Sequence, residues 1–224
     1  RKSGQAKADK KAGRVAAEGI VITLVSDDAK QGVILEVNCE TDFVGKDSNF
    51  QDFSQAVAAL ILSQQPASVE ALMATVMNGD ETVEVARQNL VSKIGENIQV
   101  RRFECMQSEK GMLGKYMHGA RIGVMVELEG ADDELCKDVA MHIAASKPVC
   151  VDESGVAPEL IQKEKDIFVA QAEASGKPEA IIEKMVEGRL RKFLGEITLL
   201  GQPYVKDPDK TVAKLLSEKS STAV

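Results

Sequence analysis

An internal repeat constrains this chain more than any other feature of its sequence. Gly32-Val-Ile-Leu-Glu-Val37 matches Gly123-Val-Met-Val-Glu-Leu128 at an offset of 91 residues, and Ala56-Val-Ala-Ala-Leu-Ile61 matches Asp138-Val-Ala-Met-His-Ile143 at an offset of 82. In both copies an apolar, β-branched run precedes a stretch with apolar residues at helical spacing. Two such units predict an α+β fold made of two repeated antiparallel-sheet-plus-helix subdomains. The two offsets differ because the first copy carries nine extra residues between strand and helix. An addition confined to one of two similar units serves binding better than it serves the core. Thr41-Asp42-Phe43-Val44 lies in that addition.

Around the repeat, Gly19 to Val25 and Gly32 to Val37 read as a hairpin joined by the turn at Asp27 to Gly32. Ser48 and Gln51 stand at capping-box spacing and are expected to open a helix carrying Phe50, Phe53, Val57 and Leu60/Ile61 on one face. Ser68 begins a short helix, and Thr82 to Ile94 forms another that Gly95 stops. Strands are predicted at Asn97 to Cys105, Met112 to Tyr116 and Ile122 to Leu128. Asp132-Asp133-Glu134 then opens a helix that carries Leu135, Val139 and Ile143 and ends at Lys147-Pro148.

From Pro158 to Phe193 the pattern becomes two long helices separated by Ser175-Gly-Lys-Pro178, with Gly ending the first and Pro opening the second. Too thin to own a core, the pair reads as a protruding antiparallel helical hairpin, a coiled coil, with packing flat on the body as the alternative. Thr198 to Val205 returns to the body, and Asp207 to Glu218 is predicted as a last helix. The expected organisation is a basic helical linker over 1–18, an N-subdomain over 19–110 and the first part of a C-subdomain over 111–157. The hairpin takes 158–196, and 197–224 returns to the C-subdomain.

The formal charge of −7 argues against a general nucleic-acid binder, because phosphate neutralisation needs a basic surface. The basic cluster of Arg1, Lys2, Lys7, Lys10, Lys11 and Arg14 reads as a solvated, helical lead-in. No apolar run approaches the roughly 20 residues that span a bilayer, and no membrane partner is expected. Cys39, Cys105, Cys136 and Cys150 are scattered, form no CxxC pair, and read as reduced thiols in a cytoplasmic protein.

The chain holds no phosphate-cradling glycine loop, no nucleophile elbow and no His-Glu-x-x-His. Of its two histidines, His142 beside an apolar helix face reads as structural, and His118 on a turn between strands reads as an exposed candidate for partner contact. No Cys or Asp cluster stands at metal spacing from either, so no metal site is expected. Three functions remain on residues alone. The chain is a binding module that works through the Thr41–Val44 segment, a structural or dimerising module built on the hairpin, or an enzyme using Cys39 as nucleophile without a positioned base. Phe43 itself has two readings: it reaches back into the core behind a helix capped by Thr41 or Asp42, or it is offered to a partner.

Several segments, in order along nearly the whole chain, resemble the elongation factor Ts family: Ala12 to Gly19, Glu36 to Val44, Lys93-Ile-Gly-Glu-Asn97, His118 to Val124, Ala140 to Pro148 and Gly195 to Pro203. The resemblance implies a translation elongation factor, a guanine-nucleotide exchange factor for elongation factor Tu, with no covalent chemistry and no cofactor. It implies that Thr41, Asp42, Phe43 and Val44 dislodge magnesium from the GTPase, and that Ile94, Gly95, His118 and Val205 make further partner contacts. Self-association is left open. Set against the family pattern, an N-terminal ubiquitin-associated-like domain and the C-terminal end are expected to be lacking, and the partner to be held more weakly.

Overall fold

The computed structural model describes residues 2–174 and 176–224, and the side chains of residues 2–4 and 7 are outside that description. Arg1 of the basic cluster and Ser175 of the predicted interhelical turn fall outside the described residues, as do the side chains of Lys2 and Lys7. The fold mixes helices with antiparallel sheet, and it divides into two compact units. The first comprises residues 1–127 and 132–144, the second residues 128–131 and 145–224.

In the first unit, helix α1 (Lys2–Lys11) leads into strands β1 (Glu18–Val25) and β2 (Gln31–Cys39), which form the predicted antiparallel hairpin. On β2, Val33, Leu35, Val37 and Cys39 are all fully buried, the alternation that turns one face of a strand inward. They meet helix α3 (Ser48–Gln64), whose buried face carries Phe50, Phe53, Val57 and Ile61 as its spacing predicted. Between β2 and α3 sits a single-turn helix, α2 (Asp42–Gly45). Next come α4 (Val69–Ala74), the short strands β3 (Val76–Asn78) and β4 (Glu81–Thr82), and α5 (Val83–Ile94). Ser68 caps α4 and Thr82 caps α5, each hydroxyl accepting a first-turn amide, and Gly95 ends α5 in the left-handed region at φ 92°.

Strand β5 (Gln99–Gln107) pairs with β2 to complete a three-stranded sheet in the order β1-β2-β5. Strands β6 (Met112–His118) and β7 (Ile122–Glu129) follow, then α6 (Asp133–Ser146), where Asp132 accepts the Leu135 amide at 2.8 Å. His142 on α6 is completely buried.

The second unit contains the two long helices α7 (Pro158–Glu173) and α8 (Glu179–Ile197). They pack through an edge-on contact of Phe168 with Phe193, ring centroids 6.4 Å apart, and a 2.8 Å bond from Arg189 to Gln171. Main-chain bonds from Leu199 to Cys150 and from Leu200 to Val151 tie the end of α8 to the segment before α7. Strands β8 (Pro203–Tyr204) and β9 (Asp207–Thr211), helix α9 (Val212–Glu218) and strand β10 (Thr222–Ala223) close the chain. Strand β10 pairs with Leu128 and Glu129. Among the described residues no helix is long and apolar enough to cross a membrane.

Five local expectations need correction. Asp47, not Ser48, caps α3, its carboxylate accepting the Asn49 and Phe50 amides, and Gln51 instead donates to the Gly45 carbonyl at 3.2 Å. A charged acceptor one residue upstream outbids a hydroxyl for the same donors. Residues Asp207 to Thr211 are extended, because Pro208 disfavours helix at the residue before it, and the helix begins only after the Thr211 cap. Pro178 stands at the cap of α8, one residue before its first turn, because a residue without an N–H costs nothing where the helix has no partner for one. His118 is the last residue of β6, and the turn starts after it at Gly119, whose φ of 64° suits a residue without Cβ. The basic lead-in is not merely solvated: Ala8 is buried, and Lys11 donates to the Gly95 carbonyl at the end of α5.

Gly19 permits the close approach of β1 to β2. Its φ is 144°, and a Cβ there would lie 2.1 Å from the Val37 carbonyl oxygen, which is backbone and cannot step aside. Gly19→Ala should therefore lower stability by about 2–5 kcal/mol from strain and overpacking together, measured by urea denaturation.

Candidate functional site

Residues 40–47, between β2 and α3, form a turn with an exposed aromatic at its tip. Thr41 is extended (φ −124°, ψ 154°) and caps α2, its hydroxyl accepting the Val44 amide at 3.5 Å. At the other end the Lys46 amide donates to the Phe43 carbonyl at 3.1 Å and the Asp47 amide to the Val44 carbonyl at 3.0 Å. Val44 and Gly45 are buried and anchor the turn to the sheet, whereas Phe43 is 79% exposed. Of the two readings of Phe43, the structure selects the outward one, although Thr41 does cap a helix. Burying a Phe side chain is worth about 1.5–3 kcal/mol, which this conformation forgoes. Asp42 is exposed and pairs with Lys46 one turn on, at 3.1 Å.

The base of the turn is held by two glutamates that exchange backbone bonds. Glu96, in the loop between α5 and β5, accepts the amides of Glu40 and Thr41, both at 3.0 Å, and the Thr41 hydroxyl at 2.7 Å. Glu40 in return accepts the Asn97 amide at 2.6 Å, and its carboxylate lies 3.6 Å from the Arg14 guanidinium. The side chain of Asn97, itself buried, donates to the carbonyls of Ala12 (3.3 Å) and Arg14 (2.7 Å). Three segments distant in sequence, 11–14, 40–41 and 95–97, thus meet beneath the turn. Sequence reasoning named Ile94 and Gly95 as contacts in this stretch and gave Glu96 and Asn97, in the same Lys93–Asn97 segment, no role. The signal available was two acids, each beside a predicted loop, but nothing local says that they face each other.

Of the other predicted contact residues, Ile94 is half-buried and shares an open groove with Thr41, Phe43, Val44, Asn49 and Lys93. Gly95 adjoins it at the end of α5. His118 is exposed and stacks on Tyr116, ring centroids 6.4 Å apart. Val205 lies in the second unit and is 45% exposed.

Burial, with smaller contributions from the negative charges of Glu96 and Glu18, pushes the Cys39 thiol up to about 11. At neutral pH Cys39 is a neutral thiol donating to the Thr41 carbonyl at 3.1 Å, not a thiolate nucleophile. Among the described residues no group of three or more His, Cys, Asp or Glu side chains could hold a metal ion.

Asp47 is held below the usual carboxylate range, first by its side-chain bond with Asn49 and then by the α3 amides. A depressed folded-state pKa gives stability that is present above the unfolded value of about 3.9 and lost as pH falls through the folded value. Asp47→Ala should be less stable than the parent at neutral pH, with the difference closing below about pH 3.9, in urea denaturation at both pH values.

Comparison with known proteins places the chain in a family. A family model described as "Elongation factor TS" matches residues 40–224. The chain is 63% identical over 217 residues to a protein of Thioalkalivibrio sulfidiphilus named "Elongation factor Ts", covering 96% of this chain and 74% of that one. It is 59% identical to the protein of that name from Methylococcus capsulatus and 53% identical to one from Legionella pneumophila, with all of this chain and 76% of theirs covered in both cases.

Proposed function

Because the chain belongs to the elongation factor Ts family, we propose that it is a translation elongation factor acting as guanine-nucleotide exchange factor on elongation factor Tu in the cytoplasm. It works by contact, with no covalent chemistry. The observation that carries the reading is Phe43, an exposed aromatic on a turn whose own polar groups are tied down. An isolated exposed apolar side chain is ordinary; one raised on a single helical turn that the fold holds from below is a shape made for insertion.

In this reading Thr41, Asp42, Phe43 and Val44 displace magnesium in the GTPase. In the GTPase the cation would be held by nucleotide phosphate oxygen and by ligands from the surrounding loops, so a wedge that shifts those loops would loosen it without touching the nucleotide. Phe43 is the apolar wedge. Asp42, paired with the exposed Lys46, offers a carboxylate to displaced backbone amides. One Phe yields about 1.5–3 kcal/mol, and a ten-thousand-fold shift in affinity needs about 5.5 kcal/mol. Further contacts are therefore required, and Ile94, Gly95, His118 and Val205 are assigned to them. The repeated β2–α3 and β7–α6 segments are read as two copies of one module, and α7–α8 as a coiled-coil hairpin.

Phe43→Ala should slow GDP release from elongation factor Tu by about 10- to 150-fold, the kinetic equivalent of the lost burial, with an unchanged circular dichroism spectrum. Labelled-GDP release in stopped flow measures this, and an unaltered rate rejects the wedge. Because coupling between two ligands is reciprocal, excess GDP should dissociate the complex of the two proteins, a shift visible in gel filtration.

A further inference from the structure

We infer that Glu96 is a positioning residue for this exchange activity: its carboxylate, answered by that of Glu40, orders residues 40–45 before the partner arrives, so that Phe43 is presented already aimed. The inference rests on the reading of Phe43 as the inserted element.

The need for such a residue follows from the size of α2. A helix of four residues has no stability of its own, since one turn fixes several dihedrals for a single bond. Its cap, Thr41, is exposed, and the bond it accepts from the Val44 amide is long, at 3.5 Å. Glu96 supplies what the turn lacks. One oxygen takes two successive amides, those of Glu40 and Thr41, and the other takes the Thr41 hydroxyl, fixing the rotamer in which that hydroxyl faces Val44. A carboxylate is the side chain that does this, because all three partners are donors and charge-assisted bonds are the stronger kind.

Glu96 is itself held. Glu40 accepts the amide of the next residue, Asn97, and Asn97 is pinned by the carbonyls of Ala12 and Arg14. The clamp lies beside the core, next to buried Cys39 and Ile98, while the largest buried side chains, Phe50, Leu35 and Ile61, belong to α3 and β2. Removing the Glu96 carboxylate should thus free the turn and leave the fold.

The test uses Glu96→Ala and the isosteric Glu96→Gln, which can keep one oxygen on the two amides but loses the charge and turns an NH2 toward the Thr41 hydroxyl. In the chain alone, hydrogen exchange at the Glu40, Thr41 and Val44 amides should accelerate by about tenfold or more in Glu96→Ala, with amides of α3 unchanged. In GDP release from elongation factor Tu, the maximal rate should fall by about tenfold while the half-saturating concentration of exchange factor moves less than about threefold. With the partner docked through the other contacts assigned above, a turn ordered one tenth of the time within the complex delivers one tenth of the rate. Glu96→Gln should fall between the two proteins in both assays, and it decides the matter if Glu96→Ala does not fold. Unchanged amide exchange at residues 40–44 overturns the positioning role. So does a raised half-saturating concentration with an unchanged maximal rate, which would make Glu96 a direct partner contact. Faster amide exchange with unaltered release kinetics leaves Glu96's hold on the turn intact and overturns instead the reading of Phe43 as the inserted element.

Discussion

Everything distinctive about the exposed face of the first unit hangs on two carboxylates trading backbone bonds across a gap of more than fifty residues in sequence. The loop after β2 and the loop after α5 are each too short and too irregular to satisfy their own amides. Each therefore borrows a glutamate from the other: Glu96 for the amides at 40 and 41, Glu40 for the amide at 97. Backbone donors near the surface can be left to water, but water fixes no geometry. A carboxylate on a loop that is itself fixed does. The arrangement extends to residues 11–14 through Asn97, Lys11 and Arg14, so the lead-in segment is part of the same support.

That support lets the molecule keep a local arrangement that its own stability disfavours. Phe43 could cover apolar surface and instead stands in solvent, while its neighbours Val44 and Gly45 are buried beneath it. Proteins tolerate such departures from good packing where function uses them and the surroundings over-determine the backbone. Here the over-determination can be traced: a hydroxyl cap on one side, two carbonyl–amide bonds on the other, and Glu96 beneath. Cys39 adds a thiol bond to the Thr41 carbonyl, and its burial keeps that thiol protonated.

The sheet and its helices were legible because they rest on periodicity. Val33, Leu35 and Val37 alternate and are buried; Phe50, Phe53, Val57 and Ile61 recur at helical spacing and pack on them; Ser68, Thr82 and Gly95 punctuate the helices where the residue types said they would. The expectations that failed are those in which neighbouring residues compete for one role. Asp47 and Ser48 are both good caps, and a one-residue difference decides which carboxylate or hydroxyl reaches the amides. At Asp207 to Thr211 a helix-like charge pattern loses to Pro208 and to pairing with Pro203 and Tyr204.

For the candidate site the division is sharper. Sequence alone located it, since an insertion in one of two similar strand–helix units can be counted without coordinates, and it named the aromatic at the tip. Whether Phe43 faces the core or the solvent was beyond it, because both orientations are compatible with a capped turn and differ only in what lies within reach. The fold decided that by placing Glu96 and Asn97 under residues 40 and 41, a meeting no spacing rule encodes. Periodicity is a local property of the chain and survives in its sequence; the pairing of two loops arises only when the sheet brings their ends together.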